Sequence, residues 1–137
     1  MRAQSMRVRD FMTTQVQSVS SNTDIMRAIR LFVDRDLSGM PVVDAFGTLI
    51  GMLTERDCIR VALNAGYHDE SAGTVADFMT RAVETVLPDD SLMDVAAYFA
   101  TSPHRRCPVV DEGRLVGMIC RRDILRALTE GSWFAAQ

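Results

Sequence analysis

Apolar positions along the chain follow two alternating spacings, and the whole alternation occurs twice. In "SNTDIMRAIRLFVDRD" the residues Ile25, Ala28, Ile29, Phe32 and Val33 recur at helical spacing, behind Asn22 or Thr23 as an N-cap. Two short apolar runs follow, "PVVD" and "TLIGML", joined by a glycine-containing turn, and they read as a β-hairpin. A second helix, "RDCIRVALNAG", closes on Gly66, and a short strand is predicted ahead of the first helix, around Val16–Val19. The second half repeats the series. A strand is predicted around Val83–Val86, and "PDDSLMDVAAYFATS" forms a helix with acids in its first turn, where the helix dipole favours them. A hairpin from "PVV" and "RLVGMI" and a helix "RDILRALTEG" ending at Gly131 complete it. The order is β-α-β-β-α, twice, which places the chain in the α/β (α+β) class.

The two halves are copies. "VRDFMTTQVQSV" from Val8 matches "VADFMTRAVETV" from Val75, so that Asp10–Thr13 align with Asp77–Thr80 at an offset of 67. The same offset relates Ile25 to Leu92, Ala28 to Val95, Phe32 to Phe99, and "MPVVD" to "CPVVD". One residue then drops out of the second turn, and "GMLTERD" aligns with "GMICRRD" at an offset of 66. Such duplication sets the architecture before any other feature does. The repeats span 8–66 and 75–131, with a polar linker at 67–74. Neither copy alone can cover both faces of its sheet, so the two are expected to intertwine as one pseudo-twofold module. At 137 residues the chain is long enough for a core without disulfide or metal.

Charge sharpens this picture. The net charge is -3 and the pI about 5.3, yet all fifteen basic residues are arginine. Between Gly66 and Ala100 seven acids face Arg81 alone, whereas Thr101–Arg126 holds six arginines against Asp111, Glu112 and Asp123. Arginine codon bias accounts for the choice of residue, but arginine is also the side chain suited to forked contacts with phosphate or carboxylate. The three cysteines, Cys58, Cys107 and Cys120, lack CxxC spacing and read as free thiols, packed as small hydrophobes. No secretory leader and no membrane-length apolar run are read, so a cytoplasmic location is expected.

The doubled "DFMT", the doubled "PVVD" and the closing Gly-h-h-x-x-x-Asp (h, apolar) together resemble a tandem pair of CBS domains, the cystathionine-β-synthase type, often called a Bateman module. The resemblance covers about Val8 to Leu128. It implies a stand-alone regulatory protein that binds AMP, ADP, ATP or a related adenosyl ligand such as NAD or S-adenosylmethionine in clefts between the repeats. It further implies a homodimer, a separate downstream protein partner, no required cofactor, no metal and no catalysis.

Carried over residue by residue, the resemblance implies two sites. Site one takes the ribose on Asp57 and Thr54, borders the adenine with Val83, Glu84, Met52 and Pro108, and receives the phosphate on His104, Arg105, Arg106 and Arg122. Site two, expected to be weaker, pairs Asp123, Cys120 and Met118 with Val16, Gln17, Ser38, Gly39 and Pro41, and has Arg56 as its cation. The bland alternative for Thr54 and Asp57 is a capping turn at a helix start.

Three rival functions are weighed against a nucleotide sensor. Nucleic-acid binding lacks the broad basic footprint it requires. An enzyme would need partners for His68 and His104, and neither histidine has one at triad or metal spacing; His68 is expected to be solvated in the linker. A structural or dimerisation module with decayed sites is disfavoured by the retention of both Asp57 and Asp123.

Overall fold

A computed structural model describes residues 6–64, 72–130 and 133. The chain divides into two compact units, Gln17–Val83 and Met1–Val16 with Glu84–Gln137. In the first, helix α1 (Ile25–Arg35) leads into strands β1 (Gly39–Val43) and β2 (Leu49–Thr54), then helices α2 (Glu55–Leu63) and α3 (Val75–Phe78). The second holds a 3-10 turn (Val8–Asp10), helix α4 (Leu92–Thr101), strands β3 (Arg106–Asp111) and β4 (Arg114–Cys120), and helix α5 (Arg121–Thr129).

Each unit is built on one antiparallel hairpin, β1 with β2 and β3 with β4. A two-stranded hairpin leaves two edges of unpaired peptide groups. One edge is met from within the repeat, by parallel bridges from Val19 to Val42 and from Val86 to Val109. The other edge is met by the opposite repeat's "DFMT" segment. Thr80 exchanges two backbone hydrogen bonds of 2.8 Å with Met52, and Thr13 two of 2.9 Å with Met118. Intertwining therefore takes the form of an exchanged edge segment. The strands expected around Val16–Val19 and Val83–Val86 contract to the single bridges at Val19 and Val86.

The two glycines that open "GMLTERD" and "GMICRRD" follow from that crossing. A Cβ on Gly51 would lie 2.8 Å from the Thr80 carbonyl oxygen, and one on Gly117 would lie 2.8 Å from that of Thr13. The obstacle is backbone, which cannot rotate away. Gly51→Ala and Gly117→Ala are each expected to cost about 2 kcal/mol, seen as a lower urea midpoint at unchanged m. A midpoint equal to the parent's would show that the crossing segments yield freely.

Apolar side chains gather under each hairpin. Ile25, Ala28, Phe32, Met40, Val42, Leu53, Val75 and Phe78 form one core, and Val8, Phe11, Leu92, Val95, Phe99, Cys107, Val109 and Ile119 form the other. The residue lost from the second turn has a visible result. In the first turn Asp44 Oδ1 accepts from the N–H groups of Phe46 and Thr48, both at 2.9 Å. The shorter second turn places Glu112 and Gly113 at φ 51° and 81°, the two left-handed positions of a type I′ hairpin.

Helix α1 is capped by Asp24, whose Oδ2 accepts from Arg27 N–H at 3.2 Å, rather than by Asn22 or Thr23. Those two residues are occupied one step earlier, in hydrogen bonds with the Ser20 hydroxyl. Ser91 caps α4 and Asp94 lies in its first turn. Helices α2 and α5 end at Leu63 and Thr129. Gly66, Gly131 and His68 lie outside the described residues. Among the described residues no helix is long and apolar enough to cross a membrane.

Candidate functional site

The β2–α2 junction places a carboxylate where a strand ends and a helix begins. Thr54 is the N-cap, its hydroxyl accepting from Asp57 N–H at 3.1 Å while Asp57 Oδ2 accepts from Thr54 N–H at 2.9 Å. This is a reciprocal capping box with Asp at the third position. Asp57 is only 4% exposed and takes further donors. Arg60 reaches Oδ1 at 2.5 Å, and the Thr80 hydroxyl lies 3.3 Å from both oxygens. Arg60 also donates to the Phe78 carbonyl at 3.2 Å, so one guanidinium joins the helix start to the exchanged segment.

The β4–α5 junction repeats the device with fewer bonds. Asp123 Oδ2 accepts from Cys120 N–H at 2.8 Å, and Oδ1 from Arg126 at 3.1 Å. Arg126 in turn donates to the Phe11 carbonyl at 2.8 Å and lies over the Phe11 ring at 5.4 Å. A carboxylate can accept about four hydrogen bonds. Among the described residues Asp57 takes the Thr54 N–H, Arg60 and the Thr80 hydroxyl, and Asp123 takes the Cys120 N–H, Arg126 and the Cys120 thiol. The capping reading of Thr54 and Asp57 is thus realised. The Thr80 hydroxyl stands against the Asp57 carboxylate, and the Cys120 thiol against that of Asp123.

The cations collect at one end of the β3–β4 hairpin. Arg106 pairs in register with Cys120, the Arg105 carbonyl accepts from Arg121 N–H at 2.9 Å, and Arg122 stands in the first turn of α5. Arg105 and Arg122 are exposed and Arg106 is half-buried. Among the described residues these three guanidinium groups make no ion pair. Arg121 does otherwise: its Nε donates to the His104 carbonyl at 3.1 Å and its terminal nitrogen to the Ser102 carbonyl at 2.7 Å. His104 Nε2 stands 4.0 Å from Glu84 Oε1, joining two of the expected site residues.

The remaining expected residues divide between the units. Met52, Thr54, Asp57, Val83, Gln17, Ser38, Gly39, Pro41 and Arg56 belong to Gln17–Val83. Glu84, His104, Arg105, Arg106, Pro108, Arg122, Val16, Met118, Cys120 and Asp123 belong to the other unit. Met52, Pro108, Pro41, Met118 and Gly39 are buried, and Arg56 is exposed. The Ser38 carbonyl accepts from Glu55 N–H at 3.3 Å, the same place in the first repeat that the Arg105–Arg121 bond fills in the second.

Sequence reasoning missed Arg60, Arg126, Thr80 and Arg121. The first two were signalled by Asp-x-x-Arg at 57/60 and again at 123/126, one helical turn apart. The thiols are poor nucleophiles here. Burial, with Glu84 and Asp90 nearby, pushes the Cys107 thiol up to about 12. Burial, with Asp57 and Glu55 nearby, pushes Cys58 up to about 11. Cys107 pairs with Ile119 and Cys120 with Arg106, so the two cysteines face opposite sides of the hairpin and do not meet. Among the described residues no group of three His, Cys, Asp or Glu side chains could hold a metal ion.

Comparison with known proteins agrees with this doubled architecture. The CBS domain pattern matches residues 8–64 and 75–130, and the chain belongs to the CBS domain family. Uncharacterized protein MJ1225 of Methanocaldococcus jannaschii is 38% identical over 121 residues, which are 88% of this chain and 42% of that protein. The chain thus spans less than half of that relative. The crystal structure of CBSX2, an Arabidopsis thaliana protein, in complex with AMP superposes with a TM-score of 0.81 at 30% identity, covering 90% of this chain and 96% of that one. The CBS domain pair of protein MJ0100, in complex with 5-methylthioadenosine and S-adenosyl-L-methionine, has a TM-score of 0.75 at 27% identity, covering 91% and 97%.

Proposed function

We propose that this CBS pair is a regulatory module that binds an adenosine-bearing ligand with an anionic group, without catalysing its conversion, and relays occupancy to a separate protein. The observation that carries the reading is the cluster of Arg105, Arg106 and Arg122, without carboxylate partners among the described residues in a chain of net charge -3. Unpaired guanidinium groups held at one hairpin end are ready for the oxygens of a phosphate. AMP is bound by CBSX2 and two adenosyl compounds by the MJ0100 pair, which supports the ligand class.

In this reading Thr54 and Asp57 receive the ribose and Arg105, Arg106 and Arg122 the phosphate. Asp123, at the equivalent strand–helix junction of the second repeat, is the second ribose carboxylate. Exposed apolar side chains on the helices, Val33, Ile59, Leu63 and Leu125, fit a homodimer. The free thiols fit a reducing compartment such as the cytoplasm.

A thermal-shift panel of AMP, ADP, ATP, NAD and S-adenosylmethionine tests the reading. A ligand at a hundred times its Kd should stabilise by about 2.7 kcal/mol. No shift with any of the five would leave the decayed, purely structural module as the better account. Light scattering should return twice the chain mass of 15.2 kDa; a monomer would remove the homodimer from the proposal.

A further inference from the structure

We propose that Arg121, a residue outside the phosphate-binding set, positions the arginine-bearing loop and thereby sets the preference for a phosphorylated over an unphosphorylated adenosine ligand. The inference rests on the ligand class proposed above. Residues 102–105 enter β3 without regular structure of their own, and this segment carries His104 and Arg105. Three donors from Arg121 fasten it: the backbone N–H to the Arg105 carbonyl at 2.9 Å, Nε to the His104 carbonyl at 3.1 Å, and the terminal nitrogen to the Ser102 carbonyl at 2.7 Å. Ser102 Oγ closes the turn by accepting from His104 N–H at 3.1 Å.

The first repeat supplies the contrast. Its equivalent of Arg121 is Glu55, which among the described residues keeps only the backbone bond, longer at 3.3 Å, to Ser38. A carboxylate cannot donate to the carbonyls of that loop. The forked tie is thus confined to the repeat that has Arg105 and Arg106 at the entry to its strand, where the other has Ser38 and Gly39. A guanidinium whose donors already serve two backbone carbonyls acts by holding the loop. Ordering a loop in advance removes that cost from binding.

The test uses Arg121→Lys, which keeps the charge but loses the planar fork, beside Arg121→Gln. Amide hydrogen exchange over residues 102–106 in the ligand-free protein should quicken in both variants. The affinity for AMP should fall about tenfold in Arg121→Gln and several-fold in Arg121→Lys, with adenosine within twofold of the parent. Full rescue by lysine would show that charge alone matters and overturn the positioning role. Unchanged exchange, or equal loss for AMP and adenosine, would overturn it too. If the parent itself binds neither ligand, the proposed function fails and this inference falls with it. If the parent binds AMP and the variants bind it equally well, only this inference fails.

Discussion

Asp57→Ala is expected to lower stability by about 3 kcal/mol, and Asp123→Ala by about 2 kcal/mol, from the loss of a helix cap plus charge-assisted hydrogen bonds. The two carboxylates occupy equivalent places, and their bonding makes them unequal. Removal of Asp57 strips partners from the Thr54 N–H, the Thr80 hydroxyl and Arg60 together. Arg60, whose side chain is 55% exposed, turns to water and adds little to the loss. The weight falls on the buried cap and on the hydroxyl of the exchanged segment. Asp123 has the Cys120 N–H, Arg126 and, in place of a hydroxyl, the weaker thiol donor of Cys120 to lose. Urea unfolding of the two variants gives the comparison, with a melting temperature lower by roughly 10 °C for Asp57→Ala. Equal losses, or an Asp123 variant that is the less stable, would mean that the extra Thr80 bond contributes nothing. As a ribose acceptor, Asp57 should also be needed for AMP and adenosine alike.

Arg105→Ala should weaken AMP binding about thirtyfold, the worth of one charge-assisted contact of about 2 kcal/mol. Adenosine, which offers no anion, should bind within threefold of the parent. The fold should be untouched, because Arg105 is exposed and its side chain makes no hydrogen bond among the described residues. Calorimetric titration of both ligands into both proteins checks this. A matched loss for AMP and adenosine would place Arg105 away from the phosphate.

The repeated element order was legible because each element carries its own local signal: helical spacing, a cap, paired apolar runs with a turn. The exchange of edge segments was not. An internal repeat shows that Asp10–Thr13 and Asp77–Thr80 are equivalent, but equivalent segments can satisfy either hairpin edge equally well. Which edge each meets depends on the chain's path, seen here in the bonds of Thr80 to Met52 and Thr13 to Met118. The strands foreseen at Val16–Val19 and Val83–Val86 failed for a related reason. Their apolar residues suit an extended chain, yet each hairpin edge pairs with them at only one point.

At the site, Thr54 and Asp57 were readable from Thr-x-x-Asp at a helix start. Arg60 and Arg126 were written in Asp-x-x-Arg and overlooked, since an arginine one turn on reads as a solvated face. Arg121 carried no such signal. Its acceptors are the carbonyls of Ser102 and His104, and a backbone carbonyl leaves no mark on the identity of its residue. The arginine cluster was legible as a departure of one repeat from the other, Arg105 and Arg106 standing where the first has Ser38 and Gly39.

Isothermal titration of AMP, set against adenosine, into the ligand-free chain tests the central claim most directly. The account predicts saturable binding in which AMP is tighter than adenosine by at least about thirtyfold, the value of one charge-assisted contact. Absence of saturable binding by AMP, ADP and ATP, or equal affinity for AMP and adenosine, would contradict it.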